Sequence, residues 1–273
     1  MSSLYVVATP IGNLEDISLR ALRILRMVKL IAAEDTRKTR KLLNAYDIKT
    51  PLTSYYEHNK WSKLENLLHF LSEEGDLALV SEAGMPGISD PGYELITAAG
   101  ERGIPVVPIP GPSVVTTAVA VSALPTQRII YLGFLPRVSR ERKQVLNSVV
   151  DDPGTLVILE APHRLQYALK DLLAVLGDRR ITVCRELTKV HEEIYRGQIS
   201  QAMERFSEPR GEFTLVIAGQ QETVEKSPRS GDVEERLKQL RRDGMGAKDA
   251  VALVSKETGQ ARRELYRLWL KMA

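Results

Sequence analysis

Residues 80–94 read "VSEAGMPGISDPGYE", and the organisation of the first half of the chain follows from them. The segment before them, "LALV" at 77–80, is a short apolar run. The segment after them, beginning at Tyr93, has helical composition. Between the two lie Gly84, Gly87 and Gly92, Pro86 and Pro91, and the acids Glu82 and Asp90, with no lysine or arginine. An apolar run, a Gly/Pro loop and a helix in that order make one βα unit of a parallel sheet.

The same unit recurs on both sides. "LYVVA" at 4–8 leads into the turn 9–13, then into a helix whose apolar face holds Ile17, Leu22, Leu25 and Val28. "LIAAE" at 30–34 precedes the helical "TRKTRKLLNAY", and "PLTSYYEHN" precedes a helix over 60–72. "IPVVPI" runs into the loop "PIPGPS" and another helix from Ser113. This alternation predicts a mostly parallel sheet with helices on both faces. "ALPTQR" at 123–128 reads as a domain linker. Beyond it "IIYLGF", "TLVILE", "ITVCRE", "EIYRGQ" and "FTLVIAG" predict five strands, with helices over 139–149 and 165–176. The expected fold is therefore two α/β domains, 1–124 and a mixed 125–222. A polar linker at 220–231 and a small extension of three helices, 232–273, follow.

Composition narrows the function. The 273 residues are 43% hydrophobic and 27% charged, ordinary for a globular protein. No apolar run reaches the roughly 20 residues of a membrane span, and "MSSLYVV" lacks the basic and apolar regions of a secretory signal. The single cysteine, Cys184, reads as a buried strand residue. Cytoplasm is the expected compartment. Residues 223–273 carry 12 Lys/Arg against 8 Asp/Glu, leaving 26 against 27 in the rest. A neutral body with a basic tail suits an anionic partner at the tail, and equally a solvated helical face.

The loops "TPIGN", "SEAGMPGISDPG" and "PIPGPS" fall at strand ends, where α/β sheets bind ligands. None is GxGxxG or a P-loop. Each alone reads as an ordinary turn. Glu82 and Asp90 without a cation would repel phosphate oxygens, so the loops better suit hydroxyls, an ammonium or a sulfonium. S-adenosylmethionine carries all three and no phosphate.

Seven ordered segments, "TPIGNLEDIS", "AAEDTRKTRKLL", "SYYEHN", "VSEAGMPGISDPG", "PIPGPSVVTTA", "ILEAPHR" and "GEFTLVIAG", resemble the tetrapyrrole methylase-like superfamily. Within it the chain is similar to a branch that methylates a cytidine ribose 2′-hydroxyl of 16S rRNA. The resemblance implies two α/β domains with S-adenosylmethionine folded into the cleft between them, a homodimer, no metal, and 16S rRNA, within the 30S subunit, as partner. It puts the cofactor against Pro10, Gly12, Glu82, Ala83, Gly84, Ile88, Ser89, Ser113, Val114, Glu160, Leu187 and Thr214. The position of Asp35 matches the base of tetrapyrrole-modifying relatives.

Three groups are candidate bases: Asp35, Glu34 beside it, and His163 in "APHR". Asp35 also suits a helix N-cap, and His163 also suits orienting the helix that follows. Arg37, Lys38 and Arg40 form a basic stretch fit for phosphates or for solvent. Arg164, Arg185 and Lys189 bring cations to the second domain, with Glu186 placed to orient one of them. Tyr55 and Tyr56 are candidates to stack on a flipped cytosine, although one of two adjacent tyrosines in a strand is normally core, and His58 reads as a substrate or structural contact. In the tail, Arg262, Arg263 and Arg267 follow a "TG" turn, as in the second helix of a helix-turn-helix, a pattern that docks RNA or caps the body. Two other functions fit parts of the pattern: a cobalamin or sirohaem C-methyltransferase, and a non-catalytic RNA-binding protein.

Overall fold

The computed structural model describes residues 2–220, 230–258 and 260–271. Residues up to Gln220 form one compact unit and the tail forms another. The expected linker falls mostly on 221–229, outside the described residues.

The first sheet contains β1 (Leu4–Val7), β2 (Leu30–Ala33), β3 (Leu52–Ser54), β4 (Leu77–Val80) and β5 (Val106–Ile109). Its order is β3-β2-β4-β1-β5, parallel throughout. Side chains alternate across it. Val7, Ile31, Ala33, Ala78 and Val80 meet α1 (Leu19–Met27) and α2 (Thr36–Ala45) on one face. Val6, Ala32, Leu77 and Leu79 meet α3 (Lys60–Glu73) and α4 (Tyr93–Glu101) on the other. Burial on both faces is why these strands read as unbroken apolar runs. Tyr55, directly after β3, is fully buried in this core, while Tyr56 points outward.

The second sheet holds β6 (Ile129–Phe134), β7 (Thr155–Glu160), β8 (Arg180–Arg185), β9 (Glu193–Gln198) and β10 (Phe213–Ile217), in the order β6-β7-β10-β8-β9. Only β6 and β7 are parallel, as the mixed reading expects. Leu156, Ile158, Ile181, Val183, Leu215 and Ile217 pack under α6 (Ser139–Asn147), α7 (Pro162–Leu176) and α8 (Ile199–Arg205). The opposite face, Val157, Cys184 and Val216, is covered by α5 (Val114–Val121) through Ala118 and Val119. Cys184 is accordingly a buried strand residue.

Two sequence expectations are revised. Chain order puts the helix after Ser113 with the first sheet, yet α5 lies on β10 of the second. Its sequence "VVTTAVAV" is apolar nearly all round, so it carries no stripe to show which sheet it covers. α7 begins at Pro162 rather than near Leu165, so His163 sits within its first turn.

The second unit comprises α9 (Ser230–Arg242), α10 (Ala247–Thr258) and α11 (Arg262–Lys271), the three expected helices. Val233, Leu237, Leu240, Ala250, Val251, Val254, Leu265 and Trp269 form its own core. The Arg241 guanidinium lies 5.3 Å from the centre of the Trp269 ring, a cation–π contact.

A candidate active-site cleft

β4, β1 and β5 are neighbours, so the loops leaving their carboxyl ends are neighbours too. The strand order changes direction here, the position at which α/β sheets open a crevice. Thr9 and Gly84 tie two of these loops together, each amide donating to the other's carbonyl at 2.8 and 2.9 Å. Within residues 81–92, Gly84, Gly87, Ser89 and Gly92 all have positive φ. Ser89 does so without being glycine, a strained conformation. Its hydroxyl lies 2.6 Å from that of Tyr131 on β6, across the cleft. A bulge between Tyr131 and Gly133 bends β6 at this point.

The cleft has a volume of about 540 Å³, within the range of small-molecule sites. The first sheet contributes Ile11, Glu34, and residues 82–85, 88–90 and 113–115. The second contributes Tyr131, Phe134, and residues 159–163 and 212–214. Of the expected cofactor residues, Glu82, Ala83, Gly84, Ile88, Ser89, Ser113, Val114, Glu160 and Thr214 are thereby brought together, with Glu34 and His163 beside them. Ser113 precedes α5 without using its side chain as a cap.

Four expected residues stand outside this lining. Leu187 is core, packed with Val157 and Val216. Pro10 flanks Ile11, which does line the cleft. Gly12 abuts residues 187–189, where an added Cβ would meet Thr188 Oγ1 at 2.7 Å and the Leu187 carbonyl at 3.0 Å. Its glycine is therefore required by packing between the two sheets' loops. Asp35 is the N-cap of α2, accepting from the amides of Arg37 at 2.8 Å and Lys38 at 3.2 Å. The Arg37 side chain and these amides hold its carboxyl below the usual range.

The cleft is acidic. Glu34, Glu82, Asp90, Glu160 and Glu212 line it, and among the described residues no lysine or arginine does. Glu34 accepts the Glu82 amide at 2.9 Å. Burial, and the neighbouring charge of Glu34, push the Asp90 carboxyl up to about 7. Asp90 does not cap α4: Gly92 occupies the N-cap position and no side chain caps it. Glu160 is buried at the end of β7 and burial raises its carboxyl too. Its Oε1 accepts the Ala161 amide and pairs with Arg164 at 3.3 Å, while Oε2 has no partner among the described residues. Charge and volume together fit a ligand rich in hydroxyl and ammonium groups, and do not fit a polyphosphate.

Several expected RNA contacts are engaged within the protein. Lys38 pairs with Glu82. Arg185 donates to the Arg210 carbonyl at 2.7 Å and pairs with Glu193. Lys189 bridges Glu186 at 2.9 Å and Glu212 at 3.0 Å. Arg164 donates to the carbonyls of Leu135 and Pro136. Arg37 and Arg40 are exposed on α2, and Tyr56 and His58 stack edge to face at 6.4 Å outside the lining. Arg262, Arg263 and Arg267 are exposed on α11. Asp90, Tyr131, Phe134 and Glu212 are cleft residues that sequence reasoning does not select. Only Asp90 leaves a signal there, as an acid in a loop with no base.

A family model described as Tetrapyrrole (Corrin/Porphyrin) Methylases matches residues 3–203, and one described as RsmI C-terminal HTH domain matches residues 227–273. The ribosomal RNA small subunit methyltransferase I of Halalkalibacterium halodurans is 44% identical over 272 residues, covering 98% of this chain and 94% of that one. The chain belongs to the ribosomal RNA small subunit methyltransferase I family of the tetrapyrrole methylases. The member from Thermotoga maritima is 47% identical and aligns over 100% of its own length with 81% of this methyltransferase. In fold, the methyltransferase is similar to a uroporphyrin-III C-methyltransferase from Thermus thermophilus, solved with S-adenyl homocysteine. That likeness has a TM-score of 0.56 at 20% identity and covers 79% of this chain and 97% of that one.

Proposed function

We propose that this methyltransferase transfers a methyl group from S-adenosylmethionine to the ribose 2′-hydroxyl of a cytidine in 16S rRNA of the small ribosomal subunit. The observation that carries the donor is the acidic cleft lining, in which Glu34 and Asp90 pair with no cation among the described residues. The acceptor is supported by the relatives' names and by the basic helical unit.

Bound there, S-adenosylmethionine supplies an electrophilic methyl carbon. The acids favour its sulfonium and ammonium charges, and the 82–84 and 113–115 backbone gives polar contacts at close range. Glu160 anchors the cleft wall at the end of β7 through the Ala161 amide and Arg164. Methylation of a hydroxyl requires in-line placement, worth several kcal/mol of barrier on its own, and a route for the proton. Asp90 and His163 are the groups we assign to that route, since both line the cleft and no hydrogen bond occupies the His163 ring among the described residues. Glu34 holds the Glu82 segment. Asp35 orders the α2 start beside Glu34, where Arg37 and Arg40 meet phosphate. On this reading residues 1–124 and 125–222 form the two walls, and 232–273 dock RNA. The enzyme acts as a homodimer in the cytoplasm.

The test is partition of label from methyl-labelled S-adenosylmethionine among 30S particles, naked 16S rRNA and a uroporphyrinoid. Label in RNA is expected. Label in the porphyrinoid alone would overturn the reading, and cofactor binding without transfer to any acceptor would make the chain a non-catalytic binder.

A further inference from the structure

β6 and β7 end at the cleft, β6 with Phe134 and β7 with Glu160, and each runs on into a helix. α6 follows Phe134 by a short connection, and α7 opens at Pro162–His163 on the cleft wall itself. The outward faces of these two helices therefore start at the cleft mouth and lead away from it. On α7 the exposed positions one turn apart are His163, Tyr167 and Lys170, with Tyr167 68% exposed. On α6, Arg142 and Leu146 face the core, which turns Arg140, Lys143, Gln144 and Asn147 outward. Those four and Ser139 line an open groove of about 500 Å³ with no apolar side chain in it. Lys143 Nζ lies 3.5 Å from Asp171 on α7, so the two faces are adjoining.

The charge on this surface is one-sided. Arg137, Arg140, Lys143 and Lys170 are exposed. Glu141 is the one exposed acid of α6 and Asp171 the one acid of α7, and Asp171 is buried against Arg142 at 2.5 Å. Arg142 also donates to the carbonyls of Pro136 and Arg137, which fixes the connection that carries Phe134 and Arg137. Exposed cations on both helices, Arg140 and Lys143 on α6 and Lys170 on α7, with exposed Tyr167 one turn from His163, match single-stranded nucleic acid, whose phosphates take the cations and whose bases stack on tyrosine. A second copy of the chain fits less well, because a two-fold interface would bring the same cations against themselves.

Resting on the reading of the cleft as an RNA-methylating site, we propose that the outer face of α6 and α7, centred on Arg140, Lys143, Tyr167 and Lys170, is a track for the RNA strand flanking the target nucleotide. The phosphates lie along Arg140, Lys143 and Lys170, and a neighbouring base stacks on Tyr167. This surface is built from residues other than the basic side chains of α2.

The experiment compares the full-length chain with Arg140→Glu/Lys170→Glu, which leaves the Lys143–Asp171 pair intact, and with Tyr167→Ala. Thermal melting and S-adenosylhomocysteine affinity serve as controls for folding and for the cleft. With both controls unchanged, the double variant is expected to raise KM for 30S about tenfold or more at 0.1 M salt with kcat retained. The slope of log KM against log salt should fall by about one for each phosphate that the variant no longer neutralises. Tyr167→Ala should raise KM without changing that slope. An unchanged KM and slope in both variants would overturn the track while leaving the function standing. A shift of the double variant to half the native mass in light scattering would also overturn it, identifying this face as a subunit interface. Failure of the unaltered chain to methylate RNA at all would overturn the function and the track with it.

Discussion

Asp90 is the residue on which the cleft's chemistry can be read most directly. Its carboxyl is pushed up to about 7 by burial and by Glu34. An acid raised in the folded state costs no stability below its unfolded value near 4, costs progressively more as pH rises to about 7, and a constant amount above that. Asp90→Asn is therefore expected to raise the melting temperature at pH 8 by more than at pH 5, measured by calorimetry. Binding of a cationic donor favours the ionised form, so affinity for S-adenosylmethionine should climb between about pH 6 and 8 in the native chain and lose that dependence in Asp90→Asn. The climb should be shallower for S-adenosylhomocysteine, which lacks the sulfonium charge. Asp35 gives a contrasting prediction. As the α2 cap, its replacement by Ala should lower stability and replacement by Asn should lower it much less, by denaturant titration. If Asp35→Asn also retains near-normal turnover at saturating cofactor, its role is the cap alone.

At the scale of elements, the loops are legible in the sequence because each follows an apolar run and announces itself with Gly and Pro. Glu82, Gly84, Ser89 and Ser113 sit where that reading expects them. What escapes it lies across the cleft. Tyr131, Phe134 and Glu212 face the first sheet only after the second sheet folds against it, and nothing in "IIYLGF" or "GEF" marks that pairing. α8, seven residues long, is too short to show helical periodicity. The family resemblance sets Leu187 against the cofactor, but its apolar side chain is taken by the core between the sheets. It sets Gly12 there too, yet that glycine is needed for packing. A methyl at Gly12 pushes into Thr188 and the Leu187 carbonyl. Gly12→Ala should lower stability by about 1–3 kcal/mol, as overpacking does, and weaken cofactor binding by moving Ile11. Intact stability in that variant would count against the packing account.

For the whole molecule, fold class and family are both readable from the seven ordered segments, and the family comparisons bear them out. The basic tail is legible as charge, and its three helices with a separate core give that charge a scaffold. On α11, Arg263 and Arg267 flank Tyr266 on one exposed face. Arg263→Ala/Arg267→Ala is expected to weaken 30S binding and flatten its salt dependence while cofactor affinity stays unchanged. Alkaline digestion of the labelled product distinguishes a methyl group on a ribose hydroxyl from one on a base. A 2′-O-methyl group blocks cleavage of the adjoining phosphodiester, so the account predicts that the label is recovered in one alkali-resistant dinucleotide beginning with cytidine. Label released in ordinary mononucleotides would place the methyl on a base and contradict the account.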